Sequence, residues 1–440
     1  MSLNDWNDRT PSRRCDWLDL VRGWAVIVMI EVHCVNVWLP VDAVPAWLQY
    51  LNGLVAPSFI LCAGYSLALS TFRADGSIRP FGPTGKRLAF ILLCAYLLHA
   101  PGLTIAHWTL LGTVQKYREF LKIDVLQCIV FSLLILQGLA RAIRRPLVYA
   151  GAALAAAAAV ALAAPKLWLP GVADGWWLPI RGLVNGNPDR GVTALFPLVP
   201  WFAFAAFGSV LGALYREVRV LPAGPGPARS RWSEPQWLLA LGALGAALVL
   251  WGTAAAPGWL HGPAWAPDLS RELLDRLHNT TLPSIAQRLG VVCLAGAALG
   301  ALDLVRRPWP GPNPVKAASF ESLLVYMLHL EIIFGLLLAR PVRALAGLEW
   351  HSLGWTATLA LTAVLIAVNL AAAVAWQNTR RDPDRARRLR RLGLVALAAW
   401  FLLGGLGVIG YYRLYPERLP AARLADGSAP AIREAPRGSC

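Results

Sequence analysis

Apolar runs of about twenty residues, separated by short polar segments, recur along the whole chain. Neither the two-residue alternation of half-buried strands nor the amphipathic 3.6-residue stripe of soluble helices dominates. A bilayer core of about 30 Å needs about 20 apolar residues per helix. Eleven stretches meet that length, near 18–39, 47–70, 88–106, 123–140, 147–164, 195–214, 237–256, 283–302, 319–339, 353–376 and 392–412. The expected fold is therefore all-α, a polytopic membrane helix bundle of about eleven spans. One integral domain is expected over residues 1–412, with 413–440 as a short disordered tail. No internal repeat is evident. The first apolar stretch is too long for a signal peptide and lacks a small-residue cleavage site, so it is read as a retained span.

Composition agrees: 57% of the 440 residues are hydrophobic and only 15% charged. Soluble domains run near ~25% charged, so an ordinary cytosolic enzyme is excluded. The charge that remains is lopsided, with 41 Lys and Arg against 25 Asp and Glu. Its distribution gives the reason. Arg9, Arg13 and Arg14, then Arg73, Arg79, Lys86 and Arg87, then Arg141, Arg144 and Arg145 occupy alternate loops. Arg216, Arg219, Arg229 and Arg231, then Arg306, Arg307 and Lys316, and finally seven arginines between Arg380 and Arg391 continue the series. These segments hold 24 of the 41 basic residues, and the intervening loops carry few. By the positive-inside rule the predicted topology is N-in, C-out. Basic residues dispersed one loop at a time do not form a nucleic-acid surface, so no nucleic-acid partner is expected; membrane lipids are.

Of the seven cysteines, Cys15, Cys34, Cys62, Cys94, Cys128 and Cys293 fall in or beside spans at irregular spacing. No C-x-x-C occurs, so neither a zinc site nor a redox motif is suggested. They read as small buried hydrophobes.

Ionisable groups inside spans are costly and mark functional sites by default. They are Asp19, Arg22, Glu31 and His33 in the first span, His99 in the third, Asp124 in the fourth, Arg288 in the eighth, and Glu321, His329 and Glu331 in the ninth. Helical periodicity puts Asp19, Arg22 and His33 on one stripe, with Glu31 opposite and in need of another partner. Asp19 and Arg22 are spaced to pair, and His33 lies about 20 Å further along the helix. Ser322, Tyr326 and His329 share one face of the ninth span. Plain readings stand beside these. Asp19–Arg22 can be a helix-end salt bridge, His33 a packing histidine, Tyr326 and His329 interhelical hydrogen-bonders, and Glu321 a carboxylate favoured at a helix start. All seven histidines fall at mid-membrane or on the outer side, which places any acid–base chemistry there.

The opening Arg14-x-x-x-Leu18-Asp19-x-x-Arg22-Gly23, running on to Met29-x-x-x-His33, resembles the first helix of the transmembrane acyltransferase superfamily. Pro57-Ser58-Phe59-Ile60-Leu61-x-Ala63-Gly64-Tyr65-Ser66, Asp124-Val125-Leu126-Gln127-Cys128-Ile129 and Pro197-Leu198-Val199-Pro200-Trp201-Phe202 with Gly208 and Gly212 are similar to later segments of one branch of it. That branch holds the heparan-α-glucosaminide N-acetyltransferase catalytic domain and its bacterial relatives. Ser322-Leu323-x-x-Tyr326-x-x-His329 resembles a late helix shared with sibling families.

The resemblance implies an enzyme of a bacterial cytoplasmic (inner) membrane. It would move an acyl group, usually acetyl, from cytoplasmic acetyl-CoA, a co-substrate, to a sugar or envelope polysaccharide on the far side. It assigns His33 as general base or transient acyl acceptor, with His329 and Tyr326 beside it. Asp19 and Arg22 become the inner-side motif. The charge map itself adds Arg73, Lys86 and Arg87, basic residues at the inner surface near the first spans, as the expected binders of the CoA phosphates. Animal lysosomal members use a histidine just after the first span; between Asn36 and Asn52 this chain has none, so the role either passes to His33 or is absent. The rival class is a proton-coupled transporter or flippase in which His33, Glu31 and His329 line a relay. Its signature, broken helices in matching halves of a repeat, has only Pro197 and Pro200 in its favour. A third reading is an inactive member kept as an assembly scaffold. Trp168, Trp176, Trp177, Trp259 and Trp265 crowd two outer loops, where they serve either as sugar platforms or as an interfacial belt.

Overall fold

A computed structural model describes residues 16–73, 77–100, 102, 104–109, 114–169, 171–185, 194–220, 232–260, 279–305, 313–338 and 340–414. Named in chain order, the helices are α1 (Asp16–Trp38), α2 (Ala46–Asn52), α3 (Val55–Thr71), α4 (Phe81–Leu98), α5 (Ile105–Thr109) and α6 (Val114–Phe120). Next come α7 (Val125–Ile143), α8 (Pro146–Leu167), α9 (Leu178–Val184), α10 (Leu198–Tyr215), α11 (Glu234–Leu260) and α12 (Leu282–Val305). The last are α13 (Pro314–Phe320), α14 (Ser322–Leu330), α15 (Arg340–Ala346), α16 (Trp355–Arg380), α17 (Pro383–Ala399) and α18 (Gly405–Leu414). Among the described residues, ten helical spans are long and apolar enough to cross a membrane, or eleven with the bent α13–α14 pair counted as one. The all-α bundle and its eleven predicted stretches are thus present.

Without a hydrophobic drive between helices in lipid, small residues let backbones approach. Gly64 of α3 faces the carbonyl of Ala205 on α10, while Gly208 and Gly212 of α10 face the carbonyls of Leu61 and Tyr65 on α3. A side chain at any of the three would run into backbone. Gly23 does the same for α1 against Val315 of α13. Buried residues form two clusters. The larger centres on α3, α7, α8 and α10 and includes Leu61, Tyr65, Leu136, Tyr149 and Phe204. The smaller lies where α1, α13, α14 and α16 meet and includes Val26, Ile30, Cys34, Trp38, Val325 and Leu365. Cys34, Cys62, Cys94, Cys128 and Cys293 are buried free thiols, as their irregular spacing predicts.

Long-range bonds sort the loops between two ends of the bundle. At the end where α1 starts, Arg22 reaches Ser319 and Arg380 pairs with Glu321. There too, Arg141 donates to the Arg79 carbonyl and Arg216 to the carbonyls of Phe72 and Arg73. At the end where α1 stops, His351 N–H and Leu353 N–H donate to the carbonyls of Val37 and Trp38. These bonds satisfy carbonyls that a helix terminus leaves unpaired. The loops joined at the first end are ones that the basic-residue alternation assigns to one side.

Three expectations are corrected. The ninth span is not straight: α13 and α14 meet at an 88° bend. Glu321 stands at that bend as the N-cap residue of α14, the helix-start position expected for it, and its carboxylate binds Arg380 at 2.7 Å. The third span starts earlier than predicted, so Lys86 and Arg87 lie inside α4 and His99 stands just beyond its C-terminal end rather than mid-membrane. The seven arginines between Arg380 and Arg391 are not a loop; five of them form the first turns of α17. Cys15, Arg229, Arg231, His261, Trp265, His278, Arg306, Arg307 and the expected tail from 415 onward lie outside the described residues.

Candidate active site

His33 sits nearly five turns into α1 and His329 at the last turn of α14, and the two rings meet between the helices. His33 Nδ1 lies 3.3 Å from His329 Nε2, with ring centroids 5.0 Å apart. His33 Nδ1 also lies 2.8 Å from the Met29 carbonyl, and His329 Nδ1 lies 2.8 Å from the Val325 carbonyl. A carbonyl only accepts. Both neutral rings must therefore carry their proton on Nδ1 and donate it to the carbonyl one turn back. His329 Nε2 is then a lone pair that takes a second branch of the His33 Nδ1–H. The tautomer argument leaves His33 Nε2 as a lone pair, which is the atom a general base needs.

The pair belongs to a longer chain of polar groups. Tyr326, one turn before His329, stacks edge-on against it at 5.7 Å. The Tyr326 side chain interacts with Asp124, and Asp124 Oδ2 lies 3.1 Å from His99 Nε2. Asp124 is held by local sequence. It is the N-cap of α7, accepting from Val125 N–H at 2.7 Å, while Gln127 reaches back to the Asp124 N–H at 3.2 Å. This capping box is legible in the sequence as Asp-x-x-Gln before an apolar run. α1, α4, α7 and α14 thus deliver one residue or more each to the same end of the bundle. Glu31, as its opposite position predicts, finds another partner, the Asn52 side chain on α2.

Aromatic side chains close the site. Phe334 presents its edge to His33 at 6.1 Å, with Trp350 stacked beyond it at 6.3 Å. His351 Nδ1 lies 2.6 Å from the Leu39 carbonyl. Phe334 belongs to a π-helical turn, Glu331–Leu337, that follows His329 directly. Such turns recur at functional sites.

The opposite end holds the other predicted residues. Arg22 donates to Asp19 at 2.9 Å and to Ser319 Oγ at 2.9 Å, and Ser319 donates to Asp19 at 3.3 Å. Ser319, on the short helix before the bend, was not among the residues singled out by sequence. Arg73, Lys86 and Arg87 are exposed at this end, Arg73 in the hairpin between α3 and α4 and the other two in the first turns of α4. Asp19 and His33 are fourteen residues apart on one helix, so about 21 Å separates the two ends of the proposed path.

The sequence family described as heparan-α-glucosaminide N-acetyltransferase, catalytic, matches residues 14–245, which is 232 of the 440 residues. The chain belongs to this family. It is accordingly an acyltransferase-type enzyme of acyl-CoA-dependent, acetyltransferase-like activity. No curated protein matches the chain. Within the family region fall Asp19, Arg22, His33, Arg73, Lys86, Arg87, His99 and Asp124. Tyr326 and His329 lie beyond it, so the fold brings a helix from outside the match against the matched region. Sequence reasoning picked out His33, Tyr326 and His329, which the structure brings together. It noted His99 and Asp124 as intramembrane ionisable groups but did not place them in the site.

Proposed function

We propose that this protein moves an acetyl group from cytoplasmic acetyl-CoA to a sugar or envelope glycan on the far side of a bacterial cytoplasmic membrane, with the N-terminus inside. The observation that carries the reading is the His33–His329 pair, locked in one tautomer inside a member of an acetyltransferase family. His33 Nε2 takes the proton from the acceptor hydroxyl or amine as that group attacks the thioester carbonyl, and the CoA thiolate leaves. The imidazolium then forming on His33 keeps its Nδ1–H directed at Met29 O and His329 Nε2, two acceptors already in place, so little reorganisation is required. Tyr326, Asp124 and His99 hold His329 from behind. Asp19 and Arg22, with Arg73, Lys86 and Arg87 on the same end, meet the CoA phosphates. Guanidinium and ammonium groups suit that polyanion. Trp176 and Trp177 are exposed at the acceptor end. Trp168 instead donates to the Val199 carbonyl at 2.8 Å, where α10 is non-helical, which makes it a structural residue.

The test uses proteoliposomes of known orientation loaded with radiolabelled acetyl-CoA on one side and a mixture of amino sugars and envelope glycans on the other. Label should appear on an acceptor only when donor faces the Asp19 end. Transfer should disappear in His33→Ala with CoA binding retained. No transfer and no donor binding by folded wild type would overturn the reading. Proton-coupled uptake without transfer would replace it with the transporter class.

A further inference from the structure

α17, the π-helical turn Trp400–Gly404 and α18 together form the outermost span, with almost all of its surface exposed. Ala386 is the one buried residue of α17. At 100° per residue, Arg387, Arg391, Arg388 and Arg385 spread over about 160° of arc centred opposite Ala386. The neighbouring acids are occupied. Asp382 caps α17 through the N–H groups of Asp384 and Arg385, and Asp384 binds Arg387 at 2.6 Å. Arg390 turns back toward α16 and lies over the Trp376 ring at 5.8 Å. Arg385, Arg388 and Arg391 remain exposed, with no carboxylate partner among the described residues.

Several other cations at this end are held in ion pairs. Arg22, Arg216, Arg219, Lys316 and Arg380 are bound to Asp19, Glu217, Glu234, Asp303 and Glu321. An orientation signal needs positive charge but does not need an unpartnered arc of it. Directly below, on the same face, Leu392 and Val395 are 64% and 67% exposed. Residues 385–391 rise about 9 Å, close to the headgroup layer of about 5–8 Å on each side of the hydrocarbon core. A set of cationic side chains at that depth, above an apolar strip of the same width, matches a phosphate carrying acyl chains.

We propose that the arc of Arg385, Arg388 and Arg391 binds the headgroups of anionic phospholipids, whose chains lie along Leu392 and Val395. The full-length protein, delipidated in a neutral detergent, would be titrated with phosphatidylglycerol or phosphatidylcholine and read by native mass spectrometry. Each arginine near an anionic surface contributes about fivefold in binding. The R385Q/R388Q/R391Q variant should therefore lose about a hundredfold of phosphatidylglycerol affinity, while R385K/R388K/R391K keeps most of it. Both should melt as wild type does in phosphatidylcholine, and the wild-type preference should fall with salt. Equal retention of the two lipids by wild type, or unchanged phosphatidylglycerol binding by the glutamine variant, would overturn the assignment. Displacement of the lipid by equimolar inorganic phosphate or acetyl-CoA would also overturn it, by showing a site for soluble anions.

Discussion

If His329 acts through His33, its removal has a defined size and a defined dependence. In His329→Ala the imidazolium formed on His33 loses one of two acceptors. Hydrogen bonds to charged groups contribute about 1.5–3 kcal/mol. At 3.3 Å, and sharing its proton with Met29 O at 2.8 Å, this one belongs at the low end. About 1.5 kcal/mol corresponds to roughly tenfold in rate. The expectation is a kcat about 10-fold lower with the KM for acetyl-CoA unchanged, because the residues proposed to meet the donor's phosphates lie about 20 Å away along α1. His33→Ala should cost far more, about 10²–10⁴. The two losses should not add: once His33 is gone, His329→Ala removes nothing further.

His329 is fully buried, so truncation also leaves a hole, with a stability cost of about 2 kcal/mol. His329→Gln separates the two effects, since an amide oxygen can stand about where Nε2 does. That variant should keep kcat within about threefold of wild type. The assay is single-turnover acetyl transfer in proteoliposomes, with a thermal melt for each variant. A further drop when His329→Ala is added to His33→Ala would refute the reasoning. So would equal losses in the alanine and glutamine variants.

Asp124→Asn keeps an oxygen for the Val125 N–H and removes the charge; turnover should fall several-fold with melting unchanged, whereas Asp124→Ala should also lose about 1 kcal/mol of helix cap. Gly208→Leu drives a side chain into the Leu61 backbone and should abolish a monodisperse, cooperatively melting protein by forcing α3 and α10 apart. Gly138→Ala on α7, which meets open space, should be neutral or stabilising by up to about 1 kcal/mol. Size-exclusion profiles and melts of the pair check both, and equal behaviour of the two would sink the close-packing argument.

The spans were legible because length and hydropathy are local properties that the bilayer enforces one helix at a time. The same scarcity of charge in lipid made His33, Tyr326 and His329 stand out, and helical periodicity put the last two on one face. What was not legible depends on tertiary contact. Phe320-Glu321-Ser322 contains neither proline nor glycine, so nothing local announces an 88° bend; the Glu321 carboxylate standing there is bound by Arg380, 59 residues later. The start of α13 could have been found, because Asn313-Pro314 is an N-cap followed by proline at N1. His99 and Asp124 were each visible, but a bond across 25 residues of loop and short helices was not.

The bend also explains why the two ends of the site answer to one element. α13 carries Ser319, which binds Asp19 and Arg22 at the end proposed for the donor. α14, on the other side of Glu321, carries Tyr326 and His329 to His33. A straight ninth span would put Ser319 and His329 on one rigid rod. With the break, the segment that touches the donor-end triad and the segment that touches the base are separate rods hinged at a carboxylate. That carboxylate is held from α16, the helix leading into the arginine arc. The geometry of the proposed donor end, that of the His33–His329 pair and the outermost helix therefore converge on the Glu321–Arg380 ion pair.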